Sequence, residues 1–101
     1  MRMMMHVTFP HGPFNAAVKD GSIGAKMKRI LDQLKPEAAY FTAWGGHRSA
    51  FLIVDVADPS EIPSLAEPWF LTFEADIELS PVMNGQDLAG AGLEGLGKAW
   101  G

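Results

Sequence analysis

Residues Ala38 to Val56 constrain this chain most. They read Ala-Ala-Tyr-Phe-Thr-Ala-Trp, then Gly45-Gly46-His47-Arg48, then Ser-Ala-Phe-Leu-Ile-Val-Asp-Val, two β-rich runs around a pair of glycines. Two central residues that tolerate positive φ let paired strands keep their right-handed twist, so the stretch predicts a hairpin with Gly45-Gly46 as its loop. Trp44 then opposes His47, Thr42 opposes Ser49 and Tyr40 opposes Phe51. A four-residue loop would shift the partners but keep the faces. Alternation puts Ala39, Phe41, Ala43, Ala50, Leu52, Val54 and Val56 on one face, which is a core. Tyr40, Thr42, Trp44, His47, Ser49, Phe51, Ile53 and Asp55 share the other. That face is mixed aromatic and polar, and what it meets decides the function.

The rest of the chain falls around this hairpin. Met3 to Phe9 alternates, with Met3, Met5, Val7 and Phe9 facing one way, and predicts the first strand; Pro10-His11-Gly12-Pro13 stops it. A helix is expected from Asn15, clearest where Ile23, Met27, Ile30, Leu31 and Leu34 share a stripe. Gly21 and Gly24 weaken its first half, leaving Ser22 as an alternative N-cap with Asn15 to Lys19 a separate turn. Pro36 ends it. After the hairpin, Asp58-Pro59-Ser60-Glu61 carries an N-cap, a proline at the first helical position and a carboxylate three residues on. Pro63 and Pro68 predict an interrupted element, a short helix near Glu61 to Glu67 and a turn through Trp69, Phe70 and Phe73. Ala75 to Val82 alternates cleanly and is the last strand. Asn84 caps a final segment in which Leu88, Gly92, Leu96 and Trp100 recur every fourth residue. The five glycines from Gly85 to Gly97 make that segment a poor helix in isolation, so it should need something to dock on.

The order strand, helix, strand, strand, helix, strand predicts an α+β, ferredoxin-like βαββαβ fold, an antiparallel four-stranded sheet with the helices on one face and a C-terminal helix added. The 101 residues suit one domain spanning 1–101, with no repeats or linker. Composition narrows the function classes. With 12 acidic against 8 basic residues, the chain gains little from phosphate contacts, so nucleic acid is not an expected partner. It has no cysteine, which excludes disulfides, thiolate metal sites and a cysteine nucleophile. The apolar start ends at Phe9-Pro10 without a small-residue cleavage site and reads as a strand, and no run approaches a membrane span. A soluble cytoplasmic protein is expected.

With the aliphatic sides of the strands under the helices, His6, Thr8, Tyr40, Thr42, Trp44, Ser49, Phe51, Ile53, Asp55, Asp76, Glu78 and Ser80 face the other way. Such a face is too apolar to stand wholly in solvent. Element order, length and this aromatic second face resemble the dimeric α/β-barrel superfamily, which includes small antibiotic-biosynthesis monooxygenases, stress-responsive barrel proteins and several isomerases. The resemblance implies a homodimer whose two sheets meet face to face around a cavity in each half. Lys35-Pro36-Glu37-Ala38, Ala66-Glu67-Pro68-Trp69-Phe70, and Pro81-Val82-Met83 with Asp87-Leu88 resemble more closely a group of small bacterial proteins with no assigned activity. No catalytic signature of the superfamily carries over to numbered residues.

Three readings follow for the bare face. His6 and Glu78 lie on strands that are neighbours in this fold, so a carboxylate can orient an imidazole as a general base in a cofactor-independent monooxygenase or isomerase. Alternatively, the pair is a satisfied histidine beside a solvated carboxylate. Tyr40, Trp44 and Phe51 suit the wall of a pocket for a small, partly apolar organic molecule, with Thr42, Ser49, Asp55 and Ser80 as polar anchors. The same aromatics also suit a dimer seam with nothing bound. His6, His47, Asp55 and Asp76 lack metal-ligand spacing, and no cofactor is implied. Gly90-Ala91-Gly92 lacks the context of a phosphate loop, and no serine lies in a nucleophile elbow. Arg48 is expected to be solvated at the hairpin tip, and Trp69 to plug core.

Overall fold

A computed structural model describes residues 1–101. Four strands, β1 (Arg2–Phe9), β2 (Ala38–Trp44), β3 (His47–Asp55) and β4 (Asp76–Pro81), form one antiparallel sheet in the order β2-β3-β1-β4. The hairpin register is that of a two-residue loop: Trp44 pairs with His47, Thr42 with Ser49 and Tyr40 with Phe51. Gly45 and Gly46 take φ of 60° and 82°, the left-handed values such a loop demands. Strand β1 runs down the middle, pairing with β3 on one side and β4 on the other.

Helices α1 (His11–Asp20), α2 (Ile23–Leu34) and α3 (Ile62–Phe73) cover one face. The core lies between them and Met3, Met5, Val7, Phe9, Ala50, Leu52 and Val54. Its centre is aromatic: Phe9 meets Phe14, Trp69 and Phe73 edge-on at centroid distances of 5.1, 5.7 and 5.3 Å. Edge-on packing sets the positive rim of one ring against the negative face of the next. Trp69 plugs this core as expected.

Several local expectations are corrected. The Pro10–Pro13 stretch does not merely stop β1; α1 starts at His11 and runs for 10 residues, with Pro13 in its first turn where no amide is needed. The break falls at Gly21, φ 81°, so the first crossover is two helices. Ser22 precedes α2 but makes no side-chain cap bond. Pro68 does not split the next element. A 3₁₀ turn, Pro59–Glu61, leads into an unbroken 12-residue α3 with Pro63 near its start and Pro68 inside it. The burial of Ala66, Trp69 and Phe73 on one side outweighs the single bond lost at Pro68. Arg48 is not solvated: it sits 4.5 Å over the Phe14 ring and donates to Asn15 Oδ1 at 2.8 Å. No helix is long and apolar enough to cross a membrane.

The start of the 3₁₀ turn yields a testable pH effect. The Asp58 carboxylate accepts from the Ser60 amide at 2.9 Å, and that bond, helped by the Ser60 hydroxyl, holds its pKa below the ordinary aspartate range. A depressed value means the cap is fully present above the unfolded aspartate pKa and is lost as pH falls through the folded one. Asp58→Asn keeps an accepting oxygen at every pH. It should leave Tm at pH 7 within about 2 °C while flattening the acid side of a Tm–pH curve. An acid side of unchanged slope would show that this cap contributes nothing.

The C-terminal segment departs furthest from expectation. It forms two short helices, α4 (Gly85–Ala89) and α5 (Leu93–Trp100), broken where Gly92 takes φ 74°. Asn84 caps α4 as expected, accepting from the Asp87 amide at 2.8 Å while Asp87 accepts from the Asn84 amide at 3.0 Å. Every residue from Met83 onward is exposed. The molecule measures 59 × 29 × 18 Å with a radius of gyration of 17.0 Å, against about 13 Å for a compact domain of this length. The segment is an arm.

Candidate functional site

Pairing across four strands arranges the bare face in rows. One row, across β4, β1, β3 and β2, holds Glu78, His6, Phe51 and Tyr40. The row toward the hairpin tip holds Asp76, Thr8, Ser49 and Thr42, and Trp44 with His47 closes that end. Toward the opposite end lie Ser80, Met4, Ile53 and Ala38, then Arg2 and Asp55. Acidic residues therefore occupy the β4 side and aromatic ones the β2 side, with His6 between them.

His6 and Glu78, expected on neighbouring strands, are direct register partners, but no hydrogen bond joins their side chains. The imidazole instead stacks on Phe51, centroids 4.3 Å apart and planes within 8°. Its Nε2 is buried and has no partner. A buried ring nitrogen without a partner costs free energy comparable to a lost hydrogen bond. Trp44 packs edge-on to Phe51 at 5.5 Å, so His6, Phe51 and Trp44 form one aromatic unit. Tyr40 and Trp44 are nonetheless 70% and 61% exposed.

The polar anchors separate into three situations. Thr42 is exposed, its hydroxyl donating to the Ala43 carbonyl at 3.4 Å. Ser49 is only 1% exposed and donates to the His47 carbonyl at 3.4 Å, so within one chain it faces no open space. Asp55 and Ser80 lie toward the far end of the sheet, where Asp55 accepts from the amine of Met1 at 3.1 Å. That end holds an open concavity of about 790 Å³, lined by Arg2, Glu37, Ile53, Asp55, Val82 and Met83 among others. Arg2 crosses it with a two-pronged bond to Glu37 at 2.9 and 3.0 Å, which raises the guanidinium pKa further. A second groove, between α2 and α3, is lined by Lys26, Arg29, Gln33, Ser64, Glu67 and Leu71. Neither concavity reaches His6, Tyr40 or Trp44.

Sequence reasoning passed over Met4, which is half-buried beside His6 on the same face, and the stack of His11 on His47 at 4.7 Å. The alternation of β1 already implied the first. The second depends on α1 starting at His11. No three histidine or acidic side chains converge as a metal site would require.

A four-stranded antiparallel sheet in this order, with helices packed on one face, defines a small α+β protein compatible with a ferredoxin-like fold. The chain belongs to the DUF3303 family, a domain of unknown function, whose profile matches residues 1–96. A search of curated proteins found no match.

Proposed function

We propose that the protein works as a homodimeric α/β barrel that binds a small, partly apolar organic molecule between the two sheet faces. One observation carries this reading: the helix-free face exposes Tyr40 and Trp44 around a histidine whose Nε2 is buried without a partner. Apolar walls with a few polar groups are the usual make-up of a ligand pocket. A second sheet laid over the face turns the open surface into an enclosed one. Tyr40, Trp44 and Phe51 supply the wall, and Thr42 and Glu78 the nearest polar contacts. No resident cofactor is invoked, and a cytoplasmic location is part of the same proposal.

Native mass spectrometry of freshly purified protein tests this directly. A dimer carrying a stoichiometric adduct supports it and reveals the chemical class of the ligand. A dimer with an empty, filled-in seam reduces the face to a dimerisation surface, and a monomer removes the barrel altogether.

The pairing of His6 with Glu78 favours a second reading, a cofactor-independent monooxygenase or isomerase. In it, Glu78 orients the imidazole and His6 moves the proton. Once a substrate is in hand, His6→Ala should lower turnover by about 10²–10⁴-fold, the usual worth of general acid–base help, without changing the assembly. An unaltered rate would strip His6 of that role.

A further inference from the structure

The arm α4–α5 carries Leu88, Leu93, Leu96 and Trp100 exposed, the last at 88%. In α5, Leu93, Leu96 and Trp100 fall at i, i+3 and i+7 and share one face. An eight-residue helix containing Gly95 and Gly97 has too little intrinsic stability to persist in water unsupported. Its polar residues are one Glu94 and one Lys98, without the lysine and arginine surplus of helices that lie on anionic membranes. The occupant that fits is another apolar protein surface.

The same chain offers one. Tyr40, Phe41 and Trp44, exposed to 70%, 51% and 61%, all lie on β2, which is an edge of the sheet. The arm leaves from β4, the opposite edge. When two such sheets meet face to face about a two-fold axis parallel to the strands, their order reverses. The β4 edge of one copy then falls against the β2 edge of the other. An axis perpendicular to the strands would stack β2 on β2 and leave the arms without a surface. The root of the arm is held at the sheet, since the Asn84–Asp87 reciprocal cap fixes the start of α4 and Asp87 lies 3.9 Å from Arg2 Nη1.

We infer that each copy's arm packs its Leu93–Leu96–Trp100 face across the β2 edge of a second copy, so that each cavity between the sheets is walled by residues from both chains. The inference rests on the dimer proposed above. Tyr40, Trp44 and Trp100 from both copies bring on the order of 1,000 Å² of exposed aromatic surface. The leucines take this into the range of about 1,200–2,000 Å² typical of a stable interface.

The absence of cysteine makes the contact measurable. Ala43 on β2 and Ala99 on α5 are both exposed, so Ala43→Cys and Ala99→Cys leave the fold and both apolar faces intact. The two single-cysteine proteins are mixed, allowed to exchange and treated with a short bis-maleimide, and a portion is sedimented without reagent. The expected product is a mixed 43–99 dimer, its yield falling at least tenfold when Leu93→Asp and Leu96→Asp are added to the arm. A sedimenting dimer that gives only 43–43 product, or none, overturns the arm exchange and leaves the dimer standing. A monomer overturns both.

Discussion

Trp69→Ala should lower the unfolding free energy by about 3–5 kcal/mol, the cost of an unfilled cavity at a large aromatic site. Trp69 is fully buried and touches Phe9 and Phe73, and helix α3 has Pro68 one residue before it. Domains of this size have about 5–15 kcal/mol in total, so this one site carries a large share of it. Trp69→Phe makes the prediction sharper. The indole Nε1 is buried without a partner, so phenylalanine removes an unsatisfied donor worth about 1–3 kcal/mol while giving up part of the ring. The two effects oppose each other, and the net loss should stay under about 1.5 kcal/mol. Urea midpoints followed by circular dichroism separate the cases. A phenylalanine variant as unstable as the alanine one would mean that the site depends on the whole indole and that its Nε1 is not a destabilising donor.

The second large effect concerns assembly. In the dimer proposed above, Trp44→Asp should raise the dissociation constant at least 100-fold, since a central aromatic commonly contributes about 2–4 kcal/mol to an interface and a buried charge adds to the loss. Because Trp44 is mostly exposed in a single chain, the monomer should keep its circular dichroism and its Tm to within a few degrees. Sedimentation equilibrium on the two proteins decides the matter. Unchanged self-association would take the hairpin face out of the interface.

The strands were legible in residues 3–9, 38–56 and 75–82 because alternation and a diglycine loop are local signals that tertiary packing reinforces. The hairpin register is the one a Gly45-Gly46 loop implies, and the four-residue alternative is not adopted. The helices were less legible wherever proline and glycine carried the argument. Pro68 predicts a break in α3, yet a single missing amide is outweighed when Ala66, Trp69 and Phe73 bury one side of the helix. Likewise His11-Gly12-Pro13 looked like a stop and is a first turn, because the amides there need no intrahelical partner. At the candidate site, strand order made β1 and β4 neighbours and put His6 and Glu78 on one face, and the register that sets them opposite each other is seen only in the structure. What pattern could not supply was the third dimension: that the imidazole lies flat on Phe51, that Ser49 is covered by its neighbours, and that Arg48 turns inward onto Phe14. Side-chain direction over a few ångströms depends on which neighbours fill the space, and alternation says only which face a residue takes.

Strand β2 carries one more consequence. It hydrogen-bonds to β3 alone, so its outer side presents free amides and carbonyls beside Tyr40, Phe41 and Trp44. Sheet proteins usually guard such a margin with lysine, proline or a bulge, and Ala38–Trp44 contains neither lysine nor proline. An uncovered β2 is thus a template for unwanted strand addition and fibrous growth, a hazard that is greatest during synthesis. If the proposed dimer covers this edge, solubility would track how quickly chains find one another.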